Sequence, residues 1–545
     1  MRRDYTGGMT NYTYFILFLI FSLLPGSASA ITENDIVPQL QRLSAARTIG
    51  AETLRSGRAL HRFYQERQFR PAWSVDGQLL PLAEELIATL PIATGGGLDP
   101  SDYHFSALNA LTPRYRATPT PLLLAQLDIL LSDAFMHLAT DTLSGRILPS
   151  RVDPDWDIPR EEGDPVRMLN QSLASGRIHD SLLALLPQDP AYLALSKAWQ
   201  DLTQLAAVGG WPHLSLKRTL RSADVGVEVA ELRRRLVTSG DLPGTESEGE
   251  IFDTTLDSAV RRFQSRHGLT ADGVVGPQTL TALNVTAEER AHQLAVNLER
   301  WRWLPRRFGE RYLRVNLPAF HLEYIESGEV VLDMKVIVGR QVRQTPAFVG
   351  KMTYLVLNPY WEVPDHLAVV DLLPKIQKDF GYLHEHGVKV FTPNGATRLD
   401  PATLNWQSLS RNKFPYHLRQ DPGPKNSLGR IKFIFPNTYN IYLHDTPSRK
   451  LFDKDQRSFS SGCIRIEKPF ELAQKLLQGR PLASSVALEG ALKTAVNQIV
   501  PLTTPLPVYL LYLTAWVDKD GTLNFRPDLY NRDRRLDVAL RQIGL

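Results

Sequence analysis

Cysteine is almost absent from this chain: Cys463 is the only one among 545 residues. One cysteine cannot pair within its own chain, which excludes a disulfide scaffold. A dominant charge of either sign is lacking as well. Lys and Arg number 62 against 58 Asp and Glu, a formal net charge of +4, so no strong field for polyanions is implied. The apolar run "YFILFLIFSLL" near the N-terminus is short of a comfortable membrane span.

What is present reads as an exported globular protein. Apolar content of 43% and charged content of 22% are ordinary, and the length allows three or four domains. Arg2 and Arg3 precede the apolar run, and "PGSASA" then supplies small residues at Ala28 and Ala30. That order describes a secretory signal peptide over residues 1–30, with cleavage expected after Ala30; an uncleaved anchor is the alternative. Export argues against nucleic acid as a partner, and no transmembrane domain is expected after cleavage. It also raises a question: why would a protein sent to an oxidising compartment keep one unpaired thiol?

Residues 31–217 read as a helical scaffold. "PLLLAQLDILLSDAFMHLATDTLSGRI" is apolar over much of its circumference, as a buried helix should be, and no cluster in this region suggests chemistry. Residues 218–285 read as three short helices. Val229, Leu232 and Leu236 share one helical face, and Leu256, Ala259, Val260 and Phe263 follow the i, i+3, i+4, i+7 rule. Pro277 opens the third helix behind Gly276, where proline is best tolerated, and Gly268 and Gly273 supply turns. "AVRRFQSRHGLTADGVVGPQTLTAL" in this module resembles the peptidoglycan-binding domain of the PG-binding-1 type, with a generic three-helix bundle as the plainer reading. The resemblance implies a wall-targeting or substrate-positioning module. It does not say which residues touch glycan or peptide.

Residues 286–310 contain "RWRWLPRRF", which could stack on sugars but reads better as a packed connector. Beyond it the periodicity turns strand-like. Leu313, Val315 and Leu317 alternate, as do Phe320, Leu322 and Tyr324, and then Leu332, Met334, Val336 and Val338, with Ser327-Gly328 as a hairpin turn. A β-rich domain is expected over residues 311–500. A long polar stretch at about 362–430 interrupts it, and a stretch of that length is usually functional or has structure of its own. Residues 501–545 add a hairpin turning at Asp520-Gly521 and a helix that complete the catalytic and scaffold unit. The fold class expected is multidomain α+β: a helical scaffold, a three-helix module, and a β-sandwich-like domain carrying an inserted cap.

Cys463 lies in "YLHDTPSRKLFDKDQRSFSSGCIRI". A free thiol is mostly protonated at neutral pH, so a nucleophilic cysteine needs a base, and His444 near the end of the upstream strand could serve. Small residues before the cysteine let backbone N–H groups approach a developing oxyanion, and alternation puts Arg465 on the face of Cys463. On these features alone, burial as a small hydrophobe competes with nucleophilic chemistry. The histidines His384, His386 and His417 could be imagined as zinc ligands, but H-x-H in a polar stretch is a weak signal.

The stretch "HDTPSRKLF…SFSSGCIRI", with "GRQVRQTP", "NPYWEVP" and "GPKNSLGRIKF" in order before it, resembles the L,D-transpeptidase catalytic domain of the YkuD type. The whole chain is similar to the large periplasmic subfamily that joins a scaffold, a PG-binding-1 module and an insertion-bearing catalytic domain. The resemblance implies Cys463 as nucleophile and His444 as general acid and base. Gly462 and Cys463 would be backbone oxyanion donors, with Tyr442 near the same site and Arg465 supporting substrate or oxyanion. The family's usual His before the Gly is Ser461 here, which could orient the imidazole through its backbone carbonyl. No cofactor or metal is implied.

The expected reaction is 3→3 diaminopimelate cross-linking of tetrapeptide stems with release of D-alanine, in the periplasm of a Gram-negative bacterium. Peptidoglycan would be donor and acceptor, cell-wall synthases candidate partners, cell shape the process served, and carbapenems the inhibitors. An L,D-carboxypeptidase on the same site and a non-catalytic wall-binding protein are the alternatives. On this reading the thiol stays free because it must be acylated.

Overall fold

The computed structural model describes residues 31–543, so the signal-peptide expectation lies outside the described residues. Four apolar cores organise them. The first belongs to the scaffold and is built around the helix Pro121–Ser144. Pro121 stands in its first turn, and the Thr120 hydroxyl accepts from the Leu123 N–H at 3.2 Å, a standard N-cap. Its apolar residues point in every direction because other helices surround it. Two carboxylates on it are fully buried. Asp128 accepts from the Ala72 and Trp73 N–H groups, both at 2.9 Å, and Asp133 accepts from the Ser56 N–H at 2.7 Å and meets His104 at 2.8 Å. Such bonds offset the cost of burying charge.

The second core is the three-helix module, where Val229, Leu232 and Leu236 meet Leu256, Val260 and Phe263. Gly273 turns the chain there with φ +75°, a backbone region that L side chains rarely adopt.

The third and largest core fills the β-rich domain. Ten strands form its sheet: β1 Trp156–Asp157, β2 Arg311–Asn316, β3 His321–Glu326, β4 Glu329–Gly339, β5 Ala347–Leu357, β6 Ile431–Ile434, β7 Leu443–His444, β8 Ser458–Ser460, β9 Ile464–Ile466 and β10 Gln498–Leu511. The order is β6-β7-β9-β4-β3-β2-β10-β5-β1, with β8 alongside β4, and β6 also pairs with β5. The sheet therefore closes on itself. Alternation drives this: Leu313, Val315, Leu322, Val336, Leu355 and Val508 all turn inward and are fully buried.

Two boundaries drawn from the sequence differ from these cores. Residue 500 falls inside β10, whose Val500, Leu506, Val508 and Leu510 are buried on both sides of that position. The scaffold limit at 217 also divides shared packing. The helix Pro190–Ala207 places Tyr192 and Leu195 in the catalytic-domain core beside the helix Ala287–Arg302, and β1 adds a scaffold strand to β5. The helix Ala287–Arg302 begins with a capping box between Thr286 and Glu289. Buried Glu299 on it binds Arg302 at 2.7 Å and the Ile147 N–H at 2.9 Å, while Arg302 donates to the Gly96 carbonyl at 2.9 Å. Trp301 and Trp303 of "RWRWLPRRF" are buried with it. The connector is a bolt between domains.

The fourth core is the inserted segment, a folded subdomain of its own. Its four-stranded sheet comprises Trp361–Glu362, Val388–Phe391, Arg398–Leu399 and His417–Gln420, packed on Leu372, Leu373, Ile376 and Trp406. Its two ends meet on the catalytic sheet, where Ile431 pairs with Leu357 and the Asn358 N–H donates to Arg430 at 2.8 Å.

Candidate active site

Strands β7 and β9 run parallel, with Leu443 opposite Ile464 and His444 opposite Arg465. Leu443 and Ile464 face the core and are fully buried. Period-two alternation then sends Tyr442, His444, Cys463 and Arg465 to the other face. Strand β6 adds Lys432 beside His444, because Ile431 and Phe433 turn inward around it. Lys432, His444 and Arg465 thus form a row across three neighbouring strands, next to the Tyr442–Cys463 pair. The sequence analysis did not single out Lys432. Alternation in "GRIKFIF" marks it as outward-facing, but only the register shows that it stands beside the imidazole.

Cys463 is half-buried against the catalytic core. Its sulfur donates to the Asn440 carbonyl at 3.7 Å and lies beside Tyr442 of the neighbouring strand. Burial pushes the thiol above its ordinary value of 9.0, against the Tyr442 hydrogen bonds and the charges of Lys432 and Arg465. Burial also raises the Tyr442 hydroxyl, with Cys463 adding to the effect. His444 is only 5% exposed, and its ring stands 5.7 Å from that of Tyr442, so sulfur, phenol and imidazole are contiguous. Burial, then the Arg465 and Lys432 charges, lower the imidazole to about 3, while its Nδ1 meets the Asp445 carbonyl at 2.5 Å. At neutral pH the pair rests as thiol and neutral imidazole, not as an ion pair. Alkylation of Cys463 by iodoacetamide should therefore be slow at pH 7 and still climbing past pH 9, as the thiolate fraction grows. A rate already level at pH 7 would contradict this electrostatic picture.

Two roles expected from the motif differ in the structure. The carbonyl that meets the imidazole is that of Asp445, whose chain folds back onto the ring, and not that of Ser461. The Ser461 hydroxyl instead accepts from Arg343 at 3.0 Å and Arg340 at 3.3 Å, and Arg343 is paired with Asp371 of the inserted subdomain. The Gly462 N–H is taken by the Ser460 hydroxyl at 3.1 Å, so it does not point freely at the site. Gly462 is required for another reason: its φ is +118°, and a Cβ there would stand 3.3 Å from Ile441. Two of the three histidines weighed as metal ligands are otherwise engaged, and His384 is exposed. His417 bonds Glu362 at 2.6 Å and His386 stacks on Tyr382, and among the described residues no three metal-ligating side chains converge.

Comparison with known proteins now bears on this geometry. Residues 310–483 match the family model described as "L,D-transpeptidase catalytic domain", residues 58–198 match "Scaffold domain", and residues 225–283 match "Putative peptidoglycan binding domain". A Haemophilus influenzae protein named "Putative L,D-transpeptidase" is 37% identical over 264 residues, 48% of this chain and 53% of its own length. The chain thus spans about half of that relative. The N-acetylmuramoyl-L-alanine amidase CwlM of Mycobacterium tuberculosis is 40% identical over 72 residues, 12% of this chain and 18% of its own. A solved L,D-transpeptidase from Xylanimonas cellulosilytica has 16% identity over 55% of this chain and 99% of its own, at a TM-score of 0.18, a likeness too slight to bear on the fold. The three matched segments, with Cys463 and His444 together in the last, make this chain a multidomain protein with a scaffold domain, a PG-binding-1 peptidoglycan-binding domain and an L,D-transpeptidase catalytic domain of the YkuD type.

Proposed function

We propose that the chain is an extracytoplasmic, periplasmic peptidoglycan L,D-transpeptidase working through a thioester on Cys463. The observation that carries this reading is the contiguity of the Cys463 sulfur, the Tyr442 hydroxyl and the neutral His444 ring on one sheet face. His444 takes the thiol proton as the sulfur attacks the carbonyl on the L-centre of diaminopimelate at position 3 of a tetrapeptide stem. The Tyr442 hydroxyl and the Cys463 amide stabilise the tetrahedral oxyanion. As that intermediate collapses, the C–N bond breaks, and the imidazolium returns its proton to the departing amine of D-alanine. The side-chain amine of a second stem then attacks the thioester and gives its proton to His444. The thiol is restored and a 3→3 cross-link remains.

Incubation with purified tetrapeptide muropeptides and mass analysis tests the reading. Each D-alanine released should be matched by one cross-linked dimer. Tripeptide without dimer would mean that water is the acceptor and the chain is an L,D-carboxypeptidase.

Two further expectations concern the accessory parts. Deleting residues 218–285 should weaken sedimentation with sacculi more than turnover of soluble muropeptides, because a tethered module raises effective concentration at the polymer. In the structure that module docks on the C-terminal hairpin, with His267 stacked 5.4 Å from Phe525 and Arg526 donating to the Arg266 carbonyl at 2.9 Å. Equal loss of binding and turnover would make it a structural part of the enzyme. Second, the inserted subdomain acts as a cap that excludes water from the thioester. Its ends join adjacent paired strands, so a short Gly/Ser loop can replace residues 362–430. That replacement should raise the ratio of hydrolysed tetrapeptide to dimer. A folded variant with an unchanged ratio would remove the cap from the mechanism.

A further inference from the structure

Lys432 is a cation of the site without an acidic partner. Among the described residues its ammonium forms no hydrogen bond or ion pair, and it lies over the Tyr442 ring, 3.9 Å from the centroid. The charges that reach it are those of Cys463, when ionised, and Glu362, and Glu362 is itself bonded to His417 at 2.6 Å. An ammonium carries three donors and no acceptor, and leaving one half-buried and unpaired is costly. The arrangement calls for an anion supplied by the ligand.

The register says which anion. Cys463 stands on β9, His444 on β7 between, and Lys432 on β6 beyond. The groups that must meet them follow the same order in a donor stem: the scissile carbonyl carbon at the sulfur, the leaving amine at the imidazole, and whatever follows the amine at the ammonium. The ammonium lies over the Tyr442 ring, beside the sulfur. A single residue places its carboxylate carbon at most about 4 Å from the scissile carbonyl carbon, which brings that carboxylate within hydrogen-bond reach of the ammonium. Resting on the transpeptidase reading above, we propose that Lys432 binds the C-terminal carboxylate of the donor's leaving residue. It thereby selects stems that end one residue beyond the scissile bond. A longer stem would present an uncharged amide there, and the ammonium would stay unpaired. Arg465, on the other side of His444, faces the part of the donor retained as the thioester.

The test compares the full chain with Lys432→Met, which keeps the apolar contact with Tyr442, and with Lys432→Arg, which keeps the charge. Two donors are used: a disaccharide tetrapeptide with a free C-terminal carboxylate and the same molecule as its C-terminal amide. The readout is release of alanine or alaninamide. The unsubstituted chain should prefer the free acid by about 10- to 100-fold in kcat/KM, mostly through KM, the range for a hydrogen-bonded charge. Lys432→Met should lose that preference by slowing the acid about 10- to 100-fold more than the amide, whereas any change in the Cys463 and His444 electrostatics falls on both donors alike, and Lys432→Arg should keep most of the preference. Equal slowing of both donors by Lys432→Met would overturn the assignment, as would an unsubstituted chain that does not discriminate. Release from neither donor by the unsubstituted chain would instead overturn the transpeptidase reading, and the role of Lys432 with it.

Discussion

Cys463→Ala is expected to reduce muropeptide turnover by about 10⁵-fold or more, the scale seen when an acyl-transfer nucleophile is removed. The reason is specific to this site. No other cysteine exists in the chain, and the residues touching the sulfur are Tyr442, held protonated by burial, and a backbone carbonyl. Neither can take over as nucleophile at neutral pH. The fold should survive, because the thiol is half-buried and alanine removes one atom whose hydrogen bond to Asn440 is long, at 3.7 Å. Turnover within tenfold of the unsubstituted chain, in a variant with an unchanged circular dichroism spectrum, would end the thiol mechanism.

His444→Ala should lower kcat by about 10²–10⁴, the usual worth of a positioned acid and base. The effect falls on both half-reactions, since the same nitrogen must give up and regain the proton in each. The pH behaviour separates this role from a structural one. In the folded chain the imidazole is held at about 3, whereas the unfolded chain takes up a proton near the ordinary 6.5. The stabilisation from this group is therefore complete above about pH 6.5 and is lost as pH falls toward 3, because the unfolded state binds the extra proton across that window. His444→Ala should lose less stability than the unsubstituted chain between pH 7 and pH 4, measured by urea denaturation. The activity of the unsubstituted chain should likewise show no loss centred on pH 6.5. A break there would mean that the imidazole titrates freely in the fold.

The legible parts of this fold are those governed by local rules. Alternation at Leu313, Val315 and Leu317, and again from Leu332 to Val338, marks β2 and β4 because a residue facing the core must be apolar and its neighbour need not be. The module helices are equally plain in Val229–Leu236 and Leu256–Phe263. Cys463 and His444 are visible through a motif whose small residues and spacing serve one chemistry. The hidden parts depend on pairing between distant segments. The closure of β5 on β6, the two-residue β1 lent by the scaffold and the position of Lys432 beside His444 follow from register, which no short stretch encodes. The partners inside the helix Ala287–Arg302 are hidden for a related reason. Its Glu299, Arg300 and Arg302 are charged yet buried, because each finds its partner on another element or along the helix. Ser461 shows the limit of carrying a role across a motif: its hydroxyl serves the Arg343–Asp371 contact with the inserted subdomain, and Asp445 supplies the carbonyl for the imidazole.

The most direct test of the thioester is intact-protein mass measurement with a tetrapeptide donor whose diaminopimelate side-chain amine is acetylated, so that no acceptor is present. Quenched in acid, the chain should gain the mass of one stem less its terminal alanine, and peptide mapping should place that mass on Cys463. No adduct on Cys463 while alanine is still released, or an adduct on any other residue, would contradict the account.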